Sequence, residues 1–408
     1  MSLGARPEVL SGDGVPREGE TSVYGKDLRL LIPAARDLTY LNTGTLGPTP
    51  VTALAASSAG EMEWEERGPG HLPHYLNART KARHFAQRIE TQWSGGMVSL
   101  TANNSESLLR VLWGIDFQAG DEIITTSHEH SALVMGLSSL ARRFHIKIHV
   151  VPVDDPLGLT DHIRQVLSSR TRLVAMSHVS HLTGWTLPVA DVRQLLSSFA
   201  RCRLLVDGAQ ALGNIVVNPE QLGADYYVFC GHKWMMAPAG WAGLWVRTGC
   251  GEELFTAWPD EQEAGEAARL AQGPVGPSAR GGEAFEYGTR GWPRVAGWSV
   301  TWDYYEEEGF AHHAEYQQAL ADEARQRLAR LPGIQVLMTP NPSLQDTALM
   351  TAMSDKAGSG IVDWLWSREI IVKPVPSYHG IRISWALFNT EDDLDALESA
   401  LVMFHREF

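Results

Sequence analysis

The sequence predicts an α/β protein built on a mostly parallel β-sheet, followed by a smaller α+β domain. From about Leu41 onward, short apolar runs alternate with stretches of helical periodicity, which is typical of βαβ units. Of the 408 residues, 44% are hydrophobic and 20% are charged, as in a globular protein. We expect an N-terminal arm over residues 1–35, a large domain over 36–295 and the smaller domain over 296–408.

Apolar spacing predicts the elements of the large domain in order. Residues 105–115 and 131–144 repeat apolar side chains every three or four positions, which predicts two amphipathic helices, and residues 190–200 predict a third. The short apolar runs predicted as strands are Glu122–Thr126, Ile146–Val151, Leu173–Ser177, Leu204–Val206, Tyr226–Cys230 and Gly243–Val246. The last of these have short connections, so we expect part of the sheet to be antiparallel.

The last third of the chain predicts a different mixture of elements. A long helical pattern runs through Leu320, Ala324 and Leu328, and a Pro-Gly pair ends it. Strands are predicted at Ile334–Met338 and Ile381–Trp385. Thr390, with Asp393 three residues later, is the start signal of a final helix.

Charge and composition exclude several classes of protein. The chain has 34 Lys and Arg against 48 Asp and Glu, a net charge of −14, so we expect neither nucleic acid nor an anionic membrane as a partner. The 3 cysteines form no CxxC pair, which argues against a disulfide framework and favours the cytoplasm. No apolar stretch approaches the ~20 residues of a membrane span, and no signal peptide is visible.

Polar residues close the predicted strands, where ligands bind in open α/β sheets. One strand runs into Asp207, and the next runs into His232 and Lys233. The other polar residues at strand or helix ends are Asn104, Ser105, His128, His130, His178 and His181. Because the carboxyl ends of parallel strands share one edge, a single pocket could collect all of them.

These residues together suit a cofactor with a phosphate, an aldehyde and a basic ring nitrogen. A helix that starts at Asn104 and Ser105 offers N–H groups to an anion. Asp207 would keep a pyridine nitrogen protonated. Lys233, beside an imidazole in a partly dry pocket, can lose its proton and form a Schiff base. Pyridoxal phosphate (PLP) meets this description.

The motifs also resemble a known family. The string VDGAQ at Val206–Gln210, followed by HKWMMAPAGWAGLWV from His232, is similar to the class V aminotransferases, and within them to the isopenicillin N epimerase-like and C–S lyase-like branch. The resemblance extends from Tyr40 to Asp392. It implies PLP fold type I with a mostly parallel, mixed seven-stranded sheet in the large domain. It also implies a small-molecule amino-acid substrate and a homodimer with a shared active site.

The resemblance assigns roles residue by residue. Lys233 would carry the Schiff base and move the Cα proton, Asp207 would pair with the ring nitrogen, and His130 would stack on the ring. The other cofactor contacts would come from Gln210 and His181 at the phenolic oxygen, from Asn104, Ser105, His232 and Cys230 at the phosphate, and from Thr289 of a neighbouring subunit. The substrate would meet Arg382 at its carboxylate, with Asn42, Gly44 and His379 nearby.

Some positions depart from the family pattern. His181 stands where Asn is usual, and Cys230 stands where Ser or Thr is usual, although a thiol is a weaker donor. No cysteine lies between Leu331 and Arg382, where desulfurases of the family carry their nucleophile. We therefore expect that the chain is not a persulfide-forming cysteine desulfurase.

Each motif also has a plainer explanation. Asp207 could be a helix cap or a turn residue. The paired histidines could bind zinc, but no HExxH motif is present, so we expect no metal. A PLP-fold protein without turnover would need a DNA-binding module or a damaged lysine, and the sequence has neither.

The expected function is cleavage of an amino acid at Cα. We favour β-elimination from an S-substituted cysteine, as in a C–S lyase, or transamination, in secondary metabolism. An epimerase is the close alternative, with Tyr378, His379 or His181 as a second acid/base, and a decarboxylating enzyme is another. Residues 43–47, 64–75 and 261–282 are expected to shape the substrate pocket.

Overall fold

The computed structural model describes residues 26–255, 282–340, 346–356 and 360–407. Residues 1–25 of the expected arm and nearly all of the 261–282 stretch lie outside the described residues. The α-helices are α1 (Lys26–Leu30), α2 (Ala34–Asp37), α3 (Val51–Arg67), α4 (Leu72–Trp93), α5 (Asn104–Gly114), α6 (Ser131–Phe144), α7 (Leu159–Val166), α8 (Val189–Leu195), α9 (Pro219–Leu222), α10 (Val295–Glu308), α11 (Phe310–Leu328), α12 (Gly360–Trp366) and α13 (Glu391–Glu407). The strands are β1 (Thr39–Tyr40), β2 (Gly96–Thr101), β3 (Glu122–Thr126), β4 (Lys147–Val151), β5 (Thr171–Ser177), β6 (Arg203–Asp207), β7 (Tyr226–Cys230), β8 (Ala242–Arg247), β9 (Ile334–Val336), β10 (Leu349–Ser354), β11 (Ile370–Ile371), β12 (Lys373–Val375) and β13 (Gly380–Ser384).

The larger sheet has seven strands in the order β2-β8-β7-β6-β5-β3-β4. Strand β8 runs antiparallel to both β2 and β7, and the other neighbours are parallel. The predicted mixed, mostly parallel sheet of seven strands is therefore confirmed. Strands β3 and β7 are buried at every position, because helices cover both faces of a parallel sheet.

Helices pack on both faces of this sheet. The apolar stripes of α5 and α6 form one core layer with inward side chains such as Leu205 and Val228. On the other face, α4 places Ile89 and Trp93 against side chains such as Val206. Sequence periodicity missed α3 and α4, whose stripes are interrupted by polar residues. None of the described helices is long and apolar enough to cross a membrane.

The smaller sheet is antiparallel throughout, in the order β12-β13-β10-β9. The predicted strand Ile334–Met338 is shorter, ending at Val336. The final helix has the predicted start, since the Asp393 carboxylate accepts from the backbone N–H of Thr390 at 3.1 Å. The predicted boundaries between arm, large and small domains stay a prediction.

The N-terminal segment packs against the C-terminal part of the chain. Strand β1 pairs in parallel with β11, and Thr39 is opposite Ile370. The Arg29 guanidinium forms an ion pair with Asp393 at 2.8 Å. The chain then enters the turn 42–47, which therefore lies between the two sheets.

Candidate active site

Asp207 ends strand β6 in the middle of the larger sheet. Its Oδ1 atom accepts hydrogen bonds from Asn104 Nδ2 at 2.9 Å and from the backbone N–H of Ala209 at 3.0 Å. Its Oδ2 atom has no hydrogen-bond partner within the described ranges. Since the residue is buried, this second oxygen is an unpaired acceptor at the edge of the sheet.

Helix α5 begins beside Asp207. Asn103 caps it, because its side-chain oxygen accepts from the backbone N–H of Glu106 at 2.9 Å. The first-turn N–H groups of Asn104 and Ser105 have no acceptor inside the helix, and the helix dipole favours an anion there. The Asn104 Oδ1 atom is also buried without a partner. The predicted start of this helix is confirmed, and the free N–H groups at its N-terminal end suit a phosphate.

Lys233 lies in the turn after β7 and is half-buried. Its charge acts on three imidazoles, those of His130, His181 and His232. Burial and the charge of Lys233 lower the pKa of His232 to about 4. Burial, and then Lys233, also lowers the pKa of His130, which interacts with Asp207 as well. The structure thus brings the three predicted catalytic residues together among neutral imidazoles.

Backbone groups fix the rings of His130 and His181. His130 caps helix α6, and its Nδ1 accepts from the N–H of Ala132 at 3.3 Å. His181 Nδ1 lies 3.1 Å from the carbonyl oxygen of His128, which can only accept, so Nδ1 carries the hydrogen. Burial, His130 and Arg382 lower the pKa of His181 to about 3. His181 Nε2 is therefore an acceptor in this tautomer, so donation to a phenolic oxygen would require the other tautomer. The predicted contact stays a prediction.

The turn after β1 connects both sheets to the site. The backbone N–H of Gly44 donates to Ser384 Oγ at 3.0 Å, and its carbonyl accepts from Gln210 Nε2 at 2.6 Å. Gln210 Oε1 accepts from the indole of Trp234 at 2.9 Å. Both ends of the Gln210 amide are thus occupied, and its bond to a phenolic oxygen also stays a prediction. Trp234 therefore orients Gln210.

Gly47 allows this turn to approach Lys233. Its N–H donates to the carbonyl of His232 at 2.8 Å. A Cβ atom at this position would lie 2.0 Å from the carbonyl oxygen of Lys233, which no side chain tolerates. The turn therefore packs directly on the backbone that carries the lysine.

Arg382 is buried on strand β13 and faces the same turn. Its two terminal nitrogens donate to the His181 carbonyl at 3.0 Å and to Thr45 Oγ1 at 2.7 Å. Thr45 Oγ1 donates in turn to Asn42 Oδ1 at 2.7 Å. Burial lowers the pKa of Arg382 to about 10, and its Nε has no partner. An arginine held in this way lacks a carboxylate among the described residues, which suits binding of an acidic substrate group.

Three other predicted residues differ in exposure: Cys230 is buried, and His379 and Thr289 are exposed. Cys230 is buried, its Sγ lies 3.9 Å from the Ala209 carbonyl, and burial raises its pKa to about 11. His379 is exposed and follows a short 3₁₀ turn. Thr289 is exposed on this single chain. Their predicted contacts with cofactor or substrate stay predictions.

Glu129 is a buried carboxyl group that the sequence did not single out as a site residue. Its oxygens accept from Thr126 Oγ1 at 2.5 Å, and from the backbone N–H and hydroxyl of Ser177 at 3.0 and 2.7 Å. Burial raises its pKa to about 7, and the nearby Asp207 contributes. The sequence did carry a signal for Glu129, because it is a carboxylate that closely follows the fully buried strand β3.

The raised pKa of Glu129 predicts a pH dependence of stability. Between its ordinary value of 4.5 and about 7, the folded state binds more protons than the unfolded state, so the free energy of unfolding should fall as the pH rises. Glu129→Gln should remove this part of the slope. Urea unfolding at several pH values measures it, with the exposed Glu252→Gln as the control. A slope unchanged by Glu129→Gln contradicts the assignment.

The described residues contain no group of three or more His, Cys, Asp or Glu side chains that could hold a metal. His128, one of the candidate ligands, instead bonds Ser180 Oγ at 2.9 Å and Tyr378 Oη at 3.0 Å. These contacts connect the loop of His181 to the segment between β12 and β13.

Comparison with known proteins gives consistent matches. The model of the aminotransferase class-V family matches residues 75–397. A cysteine desulfurase of Cronobacter sakazakii is 28% identical over 398 residues, which cover 90% of this chain and 94% of the relative. A cysteine desulfurase of Salmonella typhimurium is also 28% identical, over 87% of this chain and 85% of its own.

Solved structures give the same picture. The complex of the cystine C–S lyase C-DES with its product cysteine persulfide is 26% identical, has a TM-score of 0.82, and covers 91% of this chain and 99% of its own. Another C-DES structure has glycine covalently linked to the PLP cofactor. The apo cysteine desulfurase of Thermococcus onnurineus, 20% identical with a TM-score of 0.83, supports the fold alone.

These relatives correct the function expected from the sequence. The ranking of elimination from an S-substituted cysteine or transamination first, with an epimerase as alternative and a desulfurase excluded, is wrong. Relatives over most of the chain are named cysteine desulfurases, and the similar structures are desulfurases and a C–S lyase. The missing cysteine between Leu331 and Arg382 was too narrow a basis for that exclusion.

Proposed function

The chain belongs to the class V aminotransferase family of PLP-dependent enzymes, and we propose that it desulfurates cysteine by cleaving its C–S bond. The sulfur would leave either as hydrogen sulfide, with water converting the remainder to pyruvate and ammonia, or as the persulfide of an added thiol, with alanine as the organic product. The chain is an enzyme, and its cofactor is PLP. Support for the sulfur chemistry comes from the desulfurase names of its relatives and from the C–S lyase among the similar structures. Further support comes from this chain's own residues, since Arg382 can bind the carboxylate of the substrate and Lys233 can act at its Cα.

The residues present fit PLP. The unpaired Oδ2 of buried Asp207 is an acceptor for a protonated ring nitrogen, and helix α5 offers unpaired N–H groups to a phosphate. Lys233 stands half-buried between them and the imidazoles. The donor set therefore matches the anionic, aldehyde and basic groups of the cofactor.

Each residue then has a defined task. Bound PLP withdraws electrons from Cα of the substrate and weakens the bonds at that carbon. Asp207 would keep the ring nitrogen of bound PLP protonated, with its Oδ2 as the acceptor. Lys233, as a neutral amine, would take the proton from Cα, with the neutral imidazoles of His130 and His181 beside it. Arg382 holds the substrate carboxylate so that Cα lies near Lys233.

The observation that carries the proposal is the environment of Arg382. It is 2% exposed, it interacts electrostatically with His130 and His181, and the described residues place no carboxylate on it. A buried cation without an acidic partner is costly unless a ligand supplies the anion. An α-amino acid supplies it while presenting its Cα to Lys233.

Replacing Arg382 by lysine should weaken substrate binding. Lysine cannot make the bidentate contact, so the expected loss is about 1.5 to 3 kcal/mol of binding free energy. Titration of the cofactor spectrum with cysteine measures it. The spectrum without substrate should not change, since Arg382 acts on the substrate. Loss of bound PLP in this variant would indicate a structural role instead.

The function is tested by incubating the PLP-loaded enzyme with L-cysteine. Released sulfur is measured after reduction with a thiol, and alanine and pyruvate are measured in the same samples. The expected result is one sulfur for each organic product, with L-serine as the control substrate. Turnover of other amino acids with no sulfur from cysteine would contradict the proposal.

The active unit is a homodimer in the cytoplasm. Large apolar side chains are exposed on α5 and α6, where Met135 is 69% exposed, and Phe255 is 61% exposed nearby. Leu109, Trp113, Phe255 and Tyr287 line one depression, and a second copy would cover it and bring Thr289 toward a neighbouring site. The free, buried cysteines suit a reducing compartment. A monomeric mass in sedimentation velocity would contradict the dimer.

A further inference from the structure

Lys373 lies beside Arg382 in the smaller sheet. Strands β12 and β13 are antiparallel, and Lys373 is directly opposite Arg382 in the register. Directly opposed residues point to the same face of a sheet, with Cβ atoms about 5 Å apart. On the other side of Arg382, Thr351 is its partner on β10. The three residues form one row across the sheet.

The row faces the loop that carries His181. Thr351 Oγ1 donates to the carbonyl of Leu182 at 2.5 Å, and Arg382 donates to the carbonyl of His181 at 3.0 Å. Lys373 is the end member, on the edge strand β12, and is partly exposed. Its ammonium group therefore lies next to Arg382 at the open side of the site.

Lys373 stands among positive charges. It interacts electrostatically with Arg382 and Lys233, and its charge also helps to lower the pKa of His130. Within the described ranges it has no hydrogen bond and no acidic partner. Like charges directly opposite each other destabilise a sheet. Burial, Arg382 and Lys233 lower the pKa of Lys373.

We propose that Lys373 binds the sulfur of the substrate as a thiolate while Arg382 binds its carboxylate. This inference rests on the proposed function and identifies the group that recognises sulfur. Two adjacent cations favour a ligand with two anionic groups, and cysteine carries two such groups on one small molecule, its carboxylate and its ionisable thiol. A free thiol ionises near pH 8.5, and a neighbouring cation shifts ionisation to lower pH.

The proposal explains selectivity among small amino acids. Serine and alanine have no ionisable group at the β-position, so they leave Lys373 unbalanced beside Arg382. Cysteine neutralises both cations and leaves Lys233 in contact with Cα. Lys373 is therefore a specificity-determining residue.

The test uses ligands that lack an amino group and cannot react. Calorimetry of the PLP-loaded protein compares 3-mercaptopropionate with propionate in wild type, Lys373→Met and Lys373→Arg. Wild type should bind 3-mercaptopropionate at least about tenfold tighter than propionate, the size of one charged hydrogen bond. Lys373→Met should lose this preference and bind propionate normally, while Lys373→Arg should keep part of it. The exposed Lys147→Met is the matched control.

Proton release gives a second measurement. In buffers of different ionisation enthalpy at pH 7, wild type should release close to one proton per 3-mercaptopropionate bound, because the thiol becomes a thiolate. Lys373→Met should release much less. An unchanged preference together with unchanged proton release in Lys373→Met overturns the proposal. If these results hold but wild type frees no sulfur from cysteine, the thiolate site stands and the desulfurase function fails.

Discussion

Replacing Lys233 by alanine should abolish turnover and remove the covalent attachment of PLP. Lys233 is the lysine that lies among His130, His181 and His232, near Asp207. Borohydride should fix the cofactor to wild-type Lys233, which peptide mass spectrometry locates. The variant should show no fixed cofactor and no sulfur release, while it still folds, because the half-buried Lys233 side chain has no hydrogen bond or ion pair within the described ranges.

The control for this experiment is Lys147→Ala. Lys147 is exposed on the edge strand β4, so its removal should change neither the fixed cofactor nor the rate. Borohydride labelling of Lys233→Ala at another lysine, with turnover retained, would show that the reactive amine has been misassigned.

Replacing Asp207 by asparagine should lower the rate by roughly 10²- to 10³-fold, the usual size of losing one electrostatic stabiliser. Both of its hydrogen bonds converge on Oδ1, which asparagine keeps. The amide NH₂ then replaces Oδ2 and presents a donor where a protonated ring nitrogen needs an acceptor. The variant should fold and bind PLP with an altered absorption spectrum.

Asp363→Asn is the matched control for this change. Asp363 is an exposed carboxylate on α12, so its loss alters net charge by the same amount without touching the site. A wild-type rate in Asp207→Asn, with an unchanged spectrum, would rule out its role at the ring nitrogen.

The strand-end residues of the site were predictable because parallel strands place their carboxyl ends at one edge. Asp207 and Lys233 follow β6 and β7, which are adjacent in the sheet. The sequence could therefore predict that Asp207 and Lys233 lie close together, although it could not predict the distance between them. It could also start α5 at Asn104, since a polar residue before an apolar stripe marks a helix end.

Other site residues depended on tertiary pairing. The position of Lys373 opposite Arg382 follows from the register of two short strands, which no local pattern encodes. Arg382 donates a hydrogen bond to Thr45, which lies 337 positions earlier in the sequence. Trp234 donates another to Gln210 in the packed interior. The function was misjudged for a related reason, since one absent cysteine outweighed the similarity spread over the chain.

The pairing of the two ends of the chain has a consequence for biosynthesis. The turn that holds Thr45 leaves the ribosome early, but its partners on β11 and β13 are among the last residues made. At ordinary synthesis rates the delay is on the order of tens of seconds. The N-terminal turn therefore waits for nearly the whole chain before these partners exist. A product truncated before Arg382 should lack both the arginine that contacts Thr45 and the strand that carries it.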